Sequence, residues 1–250
     1  MRVAALYDVH GNLPALAAVL EEVDALAVDT IVVGGDVSSG PMPVESLDEL
    51  RARNARFIRG NADRVLDLRG ATDDEMWVRA RQWVAARLGE ERLSFLAVLP
   101  LDLSLELPKL GRVRFCHGAP GSDEITITRL TPDERLRDLL AGVDEHIVIC
   151  GHTHLQFERV IDTIRVVNAG SVGAPNEAEP GAYWALLGDD VALRRTEYDV
   201  EAAAAAIAAT GYPRTAEALS YLIPDPERPA RTSALIEGVP YSRRSAAMRR

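Results

Sequence analysis

The chain has 250 residues, 47% of them hydrophobic, and carries 38 acidic against 28 basic side chains for a formal net charge of −10. That length suits one large α/β domain or two smaller ones. The acidic balance disfavours tight, sequence-independent binding to long nucleic acid, but not a small phosphorylated substrate, because a bound cation overrides net charge locally.

No apolar run approaches the roughly 20 residues that a bilayer crossing requires. The first apolar stretch stops at Asp8, too early for a secretory leader. A cytoplasmic location is therefore expected, with Cys116 and Cys150 as reduced thiols in the core.

Residues 3–7 read as a buried strand. Behind Asn12, an N-cap residue, and Pro14 in the first turn, Leu16, Val19, Leu20, Val23 and Leu26 recur at helical spacing. A second strand over 30–33 ends at Gly34-Gly35-Asp36, a helix over 44–53 follows, and a third strand over 55–59 ends at Gly60-Asn61. This alternation predicts a mainly parallel sheet with helices packed on it. A helix is expected over 73–97, burying Trp77, Val78, Trp83, Val84 and Leu88. Leu101, Leu103, Leu105 and Leu107 then alternate with Asp102, Ser104 and Glu106, the mark of a half-buried strand, and residues 113–116 form its hairpin partner.

A helix over 132–140 precedes a strand over 147–150. The segments 155–161, 164–167, 183–187 and 191–198 read as a second, largely antiparallel set. The expected fold class is α/β, a four-layer α/β/β/α sandwich of two mixed sheets over residues 1–198. Residues 199–250 are expected as a helical extension, over 200–210 and 215–222, followed by an extended tail. In that tail Pro224, Pro226 and Pro229 space out charged residues, and Arg243, Arg244, Arg249 and Arg250 close it. Leu235, Ile236 and Val239 offer a way for it to dock on this subunit or on a second copy in a homo-oligomer; a solvated basic tail is the alternative.

Five short motifs stand just past strand ends: Asp8-Val9-His10, Gly35-Asp36, Gly60-Asn61, His117-Gly118 and Gly151-His152-Thr153-His154. Each alone is weak, but in α/β sheets ligands bind at that edge, and four of the five histidines lie in these motifs. The candidate metal ligands are thus Asp8, His10, Asp36, Asn61, His117, His152 and His154. Imidazole, carboxylate and amide donors form a borderline set suited to Mn²⁺, Fe, Zn²⁺, Ni²⁺ or Co²⁺. Seven donors are too many for one tetrahedral ion and suit two, with the two oxygens of Asp36 as the bridge. Such a pair would activate a bridging water for in-line attack, so hydrolysis of a phosphate ester is the reaction the set performs most directly. Because histidine must be neutral to bind, activity is expected to fall below about pH 6.

At these residues the chain resembles the calcineurin-like metallophosphoesterase superfamily, whose pattern runs in the same order over residues 8–154, and it looks nearest the small prokaryotic phosphodiesterase branch. Asn168-Ala169-Gly170-Ser171 resembles the Asn-Pro-Gly-Ser turn of smaller members, which extends the likeness to about residue 198. The resemblance implies the four-layer fold, a Mn²⁺-supported phosphodiesterase activity on a small molecule, and two ligand sets. Asp8, His10, Asp36 and His154 would hold one ion, and Asp36, Asn61, His117 and His152 the other. Many members continue Gly-Asn with a histidine that assists the leaving group; here the run is Gly60-Asn61-Ala62-Asp63. Asp63 is either a substitute acid or a turn residue. The absence of Asp-Arg-Gly after Gly35-Asp36 argues against a Ser/Thr protein phosphatase.

Arg59 and Arg64 are candidate phosphate contacts, or else ion-paired surface groups. Trp77 and Trp83 read as helix core rather than a stacking platform, His146 as structural, and Ser171 as a turn residue. The competing functions are a non-catalytic metal-binding scaffold on the same fold and a nuclease.

Overall fold

In a computed structural model that describes residues 1–64 and 74–239, ten strands fall into two five-stranded sheets. β1 (Val3–Leu6), β2 (Thr30–Val33) and β3 (Arg56–Phe57) run parallel, and β9 (Ala182–Leu187) and β10 (Val191–Thr196) add antiparallel beside β1, giving the order β10-β9-β1-β2-β3. In the second sheet β5 (Gly111–Cys116), β6 (Ile147–Cys150) and β8 (Ile164–Asn168) are parallel. β4 (Asp102–Leu107) and β7 (Phe157–Ile161) flank them antiparallel, for the order β4-β5-β6-β8-β7. The four late strands are therefore not one sheet, as the sequence suggested. They divide two and two, because β9 pairs with β1 while β8 pairs with β6. Local alternation defines a strand but not its distant partner.

Three apolar cores separate four layers. Val3, Ala5, Tyr7, Val32, Phe115, Ile149 and Val167 fill the space between the sheets, where Tyr7 also donates its hydroxyl to the Ile149 carbonyl at 3.0 Å. The other face of the first sheet, through Ala4, Leu6 and Val33, packs against α1 (Leu13–Ala25), α2 (Pro43–Ala52) and α3 (Glu75–Ala97). The outer face of the second sheet, through Cys116, Val148 and Val166, meets α4 (Asp133–Leu139) at Leu136 and Leu140. Both cysteines are buried and free. Among the described residues no helix is long and apolar enough to cross a membrane.

Asn12 caps α1 as expected, accepting the Ala15 N–H at 3.2 Å. In α3 the chain leaves helical geometry at Gly89 (φ 69°). Its buried positions are Ala80, Arg81, Val84, Leu88 and Leu96, whereas Trp77, Val78 and Trp83 are only half buried. Asp73, the expected start of that helix, lies outside the described residues.

The C-terminal extension forms α5 (Val200–Ala209) and α6 (Thr215–Ser220), fastened to the sandwich by a small core of Ala203, Ile207 and Leu222 packed on Met42 and Tyr198. The tail is not extended throughout: α7 (Arg228–Ile236) occupies part of it, with Pro229 in its first turn, where a missing N–H costs nothing. Leu235 on that helix is 79% exposed. The terminal arginines lie outside the described residues.

At the end of β6 away from the motifs, buried Glu145 accepts from Ser104 Oγ (2.7 Å), Arg112 (3.0 Å) and Arg114 (3.0 Å). Burial pushes its carboxyl up, but donation from Ser104 and Arg114 outweighs it and holds the group below its ordinary value. The stabilisation is therefore fully present above the unfolded carboxyl's pKa and lost as pH falls through the lowered folded value. Glu145→Gln should destabilise the fold by about 1–3 kcal/mol at neutral pH, with the deficit shrinking in acid; urea titrations at pH 7 and pH 3.5 check this.

Candidate metal centre

The six parallel strands of the two sheets end at one edge, and the five motifs follow five of them. The backbone there is bent hard. Asp8 (φ 54°), His10 (φ 46°), Asp36 (φ 55°), His152 (φ 66°) and His154 (φ 59°) all occupy the left-handed region, which costs a residue with a side chain about 1–3 kcal/mol. These residues follow β1, β2 and β6, and there the left-handed turn takes the chain out of the strand direction beside the candidate centre. It requires close approach: a Cβ on Gly60 would lie 2.1 Å from Asp36 Oδ1 and 2.5 Å from its backbone nitrogen.

The seven predicted donors converge as two groups. Asp8, His10 and His154 place ligand atoms within 4.8 Å of one another, as do Asp36, His117 and His152. His117 Nε2 and Asn61 Oδ1 are 3.1 Å apart, which brings the amide into the second group. One oxygen of Asp36, not two, faces both groups: Oδ2 lies 3.5 Å from His117 Nε2 and 3.7 Å from His10 Nε2. Oδ1 instead accepts the Ala62 N–H at 2.7 Å. Of the two carboxylate oxygens expected to span the groups, only Oδ2 of Asp36 is placed to face both.

Backbone carbonyls fix the imidazoles. A carbonyl can only accept, so Nδ1 must carry the proton in His10 (to Ser39 O, 3.1 Å), His117 (to Gly34 O, 2.8 Å) and His154 (to Ala174 O, 2.6 Å), leaving Nε2 as the donor to a metal. His152 is reversed: Nε2 donates to Glu124 O at 3.1 Å, and Nδ1 is left for the centre.

The donors fit divalent cations. Asp8 Oδ2 accepts the His152 N–H at 2.8 Å, but Oδ1 is buried with no hydrogen bond, 3.2 Å from His154 Nε2. The Nε2 atoms of His10 and His154 lie 3.1 Å apart, two lone-pair sites aimed at one place. An orphaned carboxylate oxygen beside converging nitrogens is what a cation would satisfy.

Charge is balanced pairwise. Burial works against both aspartates, yet His154 and His117 hold Asp8 below its usual range, and His117 and His10 do the same for Asp36. Against burial, Asp36 and Asp8 push His117 up to about 10, and Asp8 raises His154. Burial lowers His10, with His154 adding to the effect, and burial lowers His152, with His117 adding. Each group thus contains one raised and one lowered imidazole.

Asp63 is buried and faces backbone amides, not open space. Its Oδ2 accepts from Asp36 N (2.8 Å) and Gly60 N (2.9 Å), and Oδ1 from Val37 N (3.1 Å). Of its two expected roles, the geometry gives it the turn-holding one. Burial first, and then Asp36, push its carboxyl up to about 7. Arg59 pairs with Asp123 at 2.9 Å, and Arg64 pairs with Glu124 and lies 3.6 Å from Asp123. Both arginines tie the Asn61 loop to the 119–128 loop. Ser171 donates to Asp8 O at 2.7 Å and accepts from Ala174 N, as a turn residue should. His146 is exposed, outside the centre.

A cavity of about 280 Å³ adjoins the cage, and His10, Asp36, Asn61, His152 and His154 are among the residues that line it. Its other walls went unread in the sequence. Trp77 and Arg81 come from α3, and Tyr212, Arg214, Glu217 and Tyr221 from the C-terminal extension. Trp77 is therefore a cavity residue as well as a helix residue. No spacing signature marks these side chains, because only the fold brings them to the metal edge.

The model of the calcineurin-like phosphoesterase superfamily domain matches residues 1–189. The uncharacterized protein MJ0912 of Methanocaldococcus jannaschii is 28% identical over 222 residues, covering 80% of this chain and 89% of that one. The crystal structure of protein PH1004 from Pyrococcus horikoshii superposes with a TM-score of 0.77 at 22% identity, covering 89% of this chain and 98% of its own, which shows the shared fold. A metallophosphoesterase from Sphaerobacter thermophilus superposes with a TM-score of 0.69 at 25% identity, covering 89% and 99%.

Proposed function

Because the chain belongs to the calcineurin-like phosphoesterase superfamily, we propose that it is a two-metal phosphodiesterase acting on a small molecule. The observation that carries the reading is the pair of ligand groups meeting at one oxygen of Asp36, with Asp8 Oδ1 orphaned beside them. Asp8, His10, Asp36 and His154 would hold one ion, and Asp36, Asn61, His117 and His152 the other. Bound divalent ions lower the pKa of water and offset charge on phosphoryl oxygens.

The chain's own residues do the rest. The carbonyls of Ser39, Gly34, Ala174 and Glu124 lock four imidazoles in the ligating tautomer. The cavity beside the cage, about 280 Å³, has the size of a small ester. Ala62 lines that cavity where many superfamily members carry a histidine, so leaving-group protonation receives no help from an imidazole there. Aryl esters, whose leaving groups need no proton, should therefore be the best substrates.

The test is turnover of bis-p-nitrophenyl phosphate by protein stripped with EDTA and reloaded with Mn²⁺, alongside elemental analysis of the loaded protein. Turnover that appears only on reloading, with two equivalents bound, is expected. Silence across a panel of aryl phosphates with Mn²⁺, Zn²⁺, Ni²⁺ and Co²⁺ overturns the reading.

A further inference from the structure

We propose that the C-terminal extension forms a specificity wall that seats the planar heteroaromatic group of a nucleoside-type phosphodiester beside the metal cage. The inference rests on the phosphoesterase reading and deepens it. Three aromatic side chains, Trp77, Tyr212 and Tyr221, line the same cavity as the metal-facing donors His10, Asp36, Asn61, His152 and His154, so one void touches both the candidate metal centre and a π-rich surface. Its volume, about 280 Å³, sits near the low end of the roughly 300–1,000 Å³ typical of small-molecule pockets and suits one nucleoside unit.

The wall is braced. Tyr212 meets Trp83 edge to face at 5.4 Å, and Arg87 stacks over that tryptophan at 3.4 Å. The Tyr212 carbonyl accepts both the N–H and the hydroxyl of Thr215, at 3.1 and 2.6 Å, which pins the turn between α5 and α6. A rigid aromatic face loses little entropy when a ring stacks on it.

Arg214 is held by Glu217 at 2.5 Å. Arg81 stacks on Trp77 at 4.6 Å and donates to the Arg64 carbonyl. The charge of Arg214 is thus paired within the wall and Arg81 is turned onto Trp77, which leaves the three aromatic rings as the surface that a planar group meets.

Three esters sharing one leaving group test this: thymidine 5′-(p-nitrophenyl phosphate), methyl p-nitrophenyl phosphate and cyclohexyl p-nitrophenyl phosphate, assayed on the Mn²⁺-loaded protein. The nucleoside ester should show a kcat/KM at least about fivefold above both others, expressed in KM, which is the low end of what one base–aromatic stack contributes. By calorimetry, thymidine 5′-monophosphate should bind at least about fivefold more tightly than inorganic phosphate. Tyr212→Ala should collapse both ratios toward one, and Tyr212→Phe, which keeps the ring, should restore them; Tyr221→Ala is the second variant should the first fail to fold. A cyclohexyl ester as good as the nucleoside ester, or equal binding of thymidine monophosphate and phosphate, overturns the proposal. If no ester is hydrolysed, the phosphoesterase reading fails separately, and the calorimetric ratio still decides the wall.

Discussion

Asp36→Asn is expected to lower kcat/KM for an aryl phosphodiester by at least about 10³-fold and to leave no more than one metal per chain. In the wild-type geometry the two oxygens of Asp36 have separate tasks: Oδ1 accepts the Ala62 N–H, and Oδ2 faces both histidine groups. An asparagine has one oxygen for both tasks. If that oxygen meets Ala62, the amide NH₂ points its hydrogens into the cation site. If it faces the site, two N–H donors confront each other at Ala62 in a buried position. Size is unchanged, so the fold should survive, and circular dichroism should show a native spectrum. Elemental analysis and initial rates on bis-p-nitrophenyl phosphate provide the measurement. Two bound metals with near wild-type turnover would mean that Asp36 is not the shared ligand.

The convergence of the candidate donors could be read from the sequence because their motifs sit just past apolar runs, where strand ends and glycines give a recognisable local signal. Asp8, Asp36 and His152 follow β1, β2 and β6 closely enough that a helix–strand alternation fixes their edge of the sheet. The tautomers were not legible, since they depend on carbonyls from Ser39, Gly34 and Ala174, each far along the chain from the histidine it orients. Nor was it legible that only one oxygen of Asp36 faces both groups, which depends on where the Ala62 amide falls. The sheet partition failed for a similar reason. Residues 182–187 and 164–168 look alike as apolar strands, and only the packing of β9 beside β1 and β8 beside β6 separates them. The cavity wall is the extreme case, because Trp77 and Tyr212 acquire a shared role only through the docking of α5 and α6 on Met42 and Tyr198.

Strain and holding groups belong to one design. Five cage residues adopt left-handed backbone conformations that are unfavourable for side-chain-bearing residues. Such conformations persist only where the surroundings over-determine them. Around Asp36 the over-determination comes from Gly60, which lets the loops touch, and from Asp63, which gathers three amides.

Asp63→Ala should therefore act on the cage without touching a substrate. The substitution leaves the N–H groups of Asp36, Val37 and Gly60 without their acceptor, and at about 1–3 kcal/mol for each buried donor the loss should reach about 3 kcal/mol or more. A lower melting temperature and weakened Mn²⁺ binding should come before any effect specific to chemistry, because the loop that presents the Asp36 carboxylate is no longer fixed. Asp63→Asn should fall between, since its one oxygen can still serve the Asp36 and Gly60 amides while its NH₂ opposes Val37 N–H. Thermal melts and metal titrations of the two variants separate this holding role from proton donation. A proton donor would behave differently: Asp63→Asn would keep full stability and metal content and lose activity only on esters with alkyl leaving groups. That pattern would move Asp63 from the scaffold of the centre to its chemistry, despite the three amides that now engage both of its oxygens.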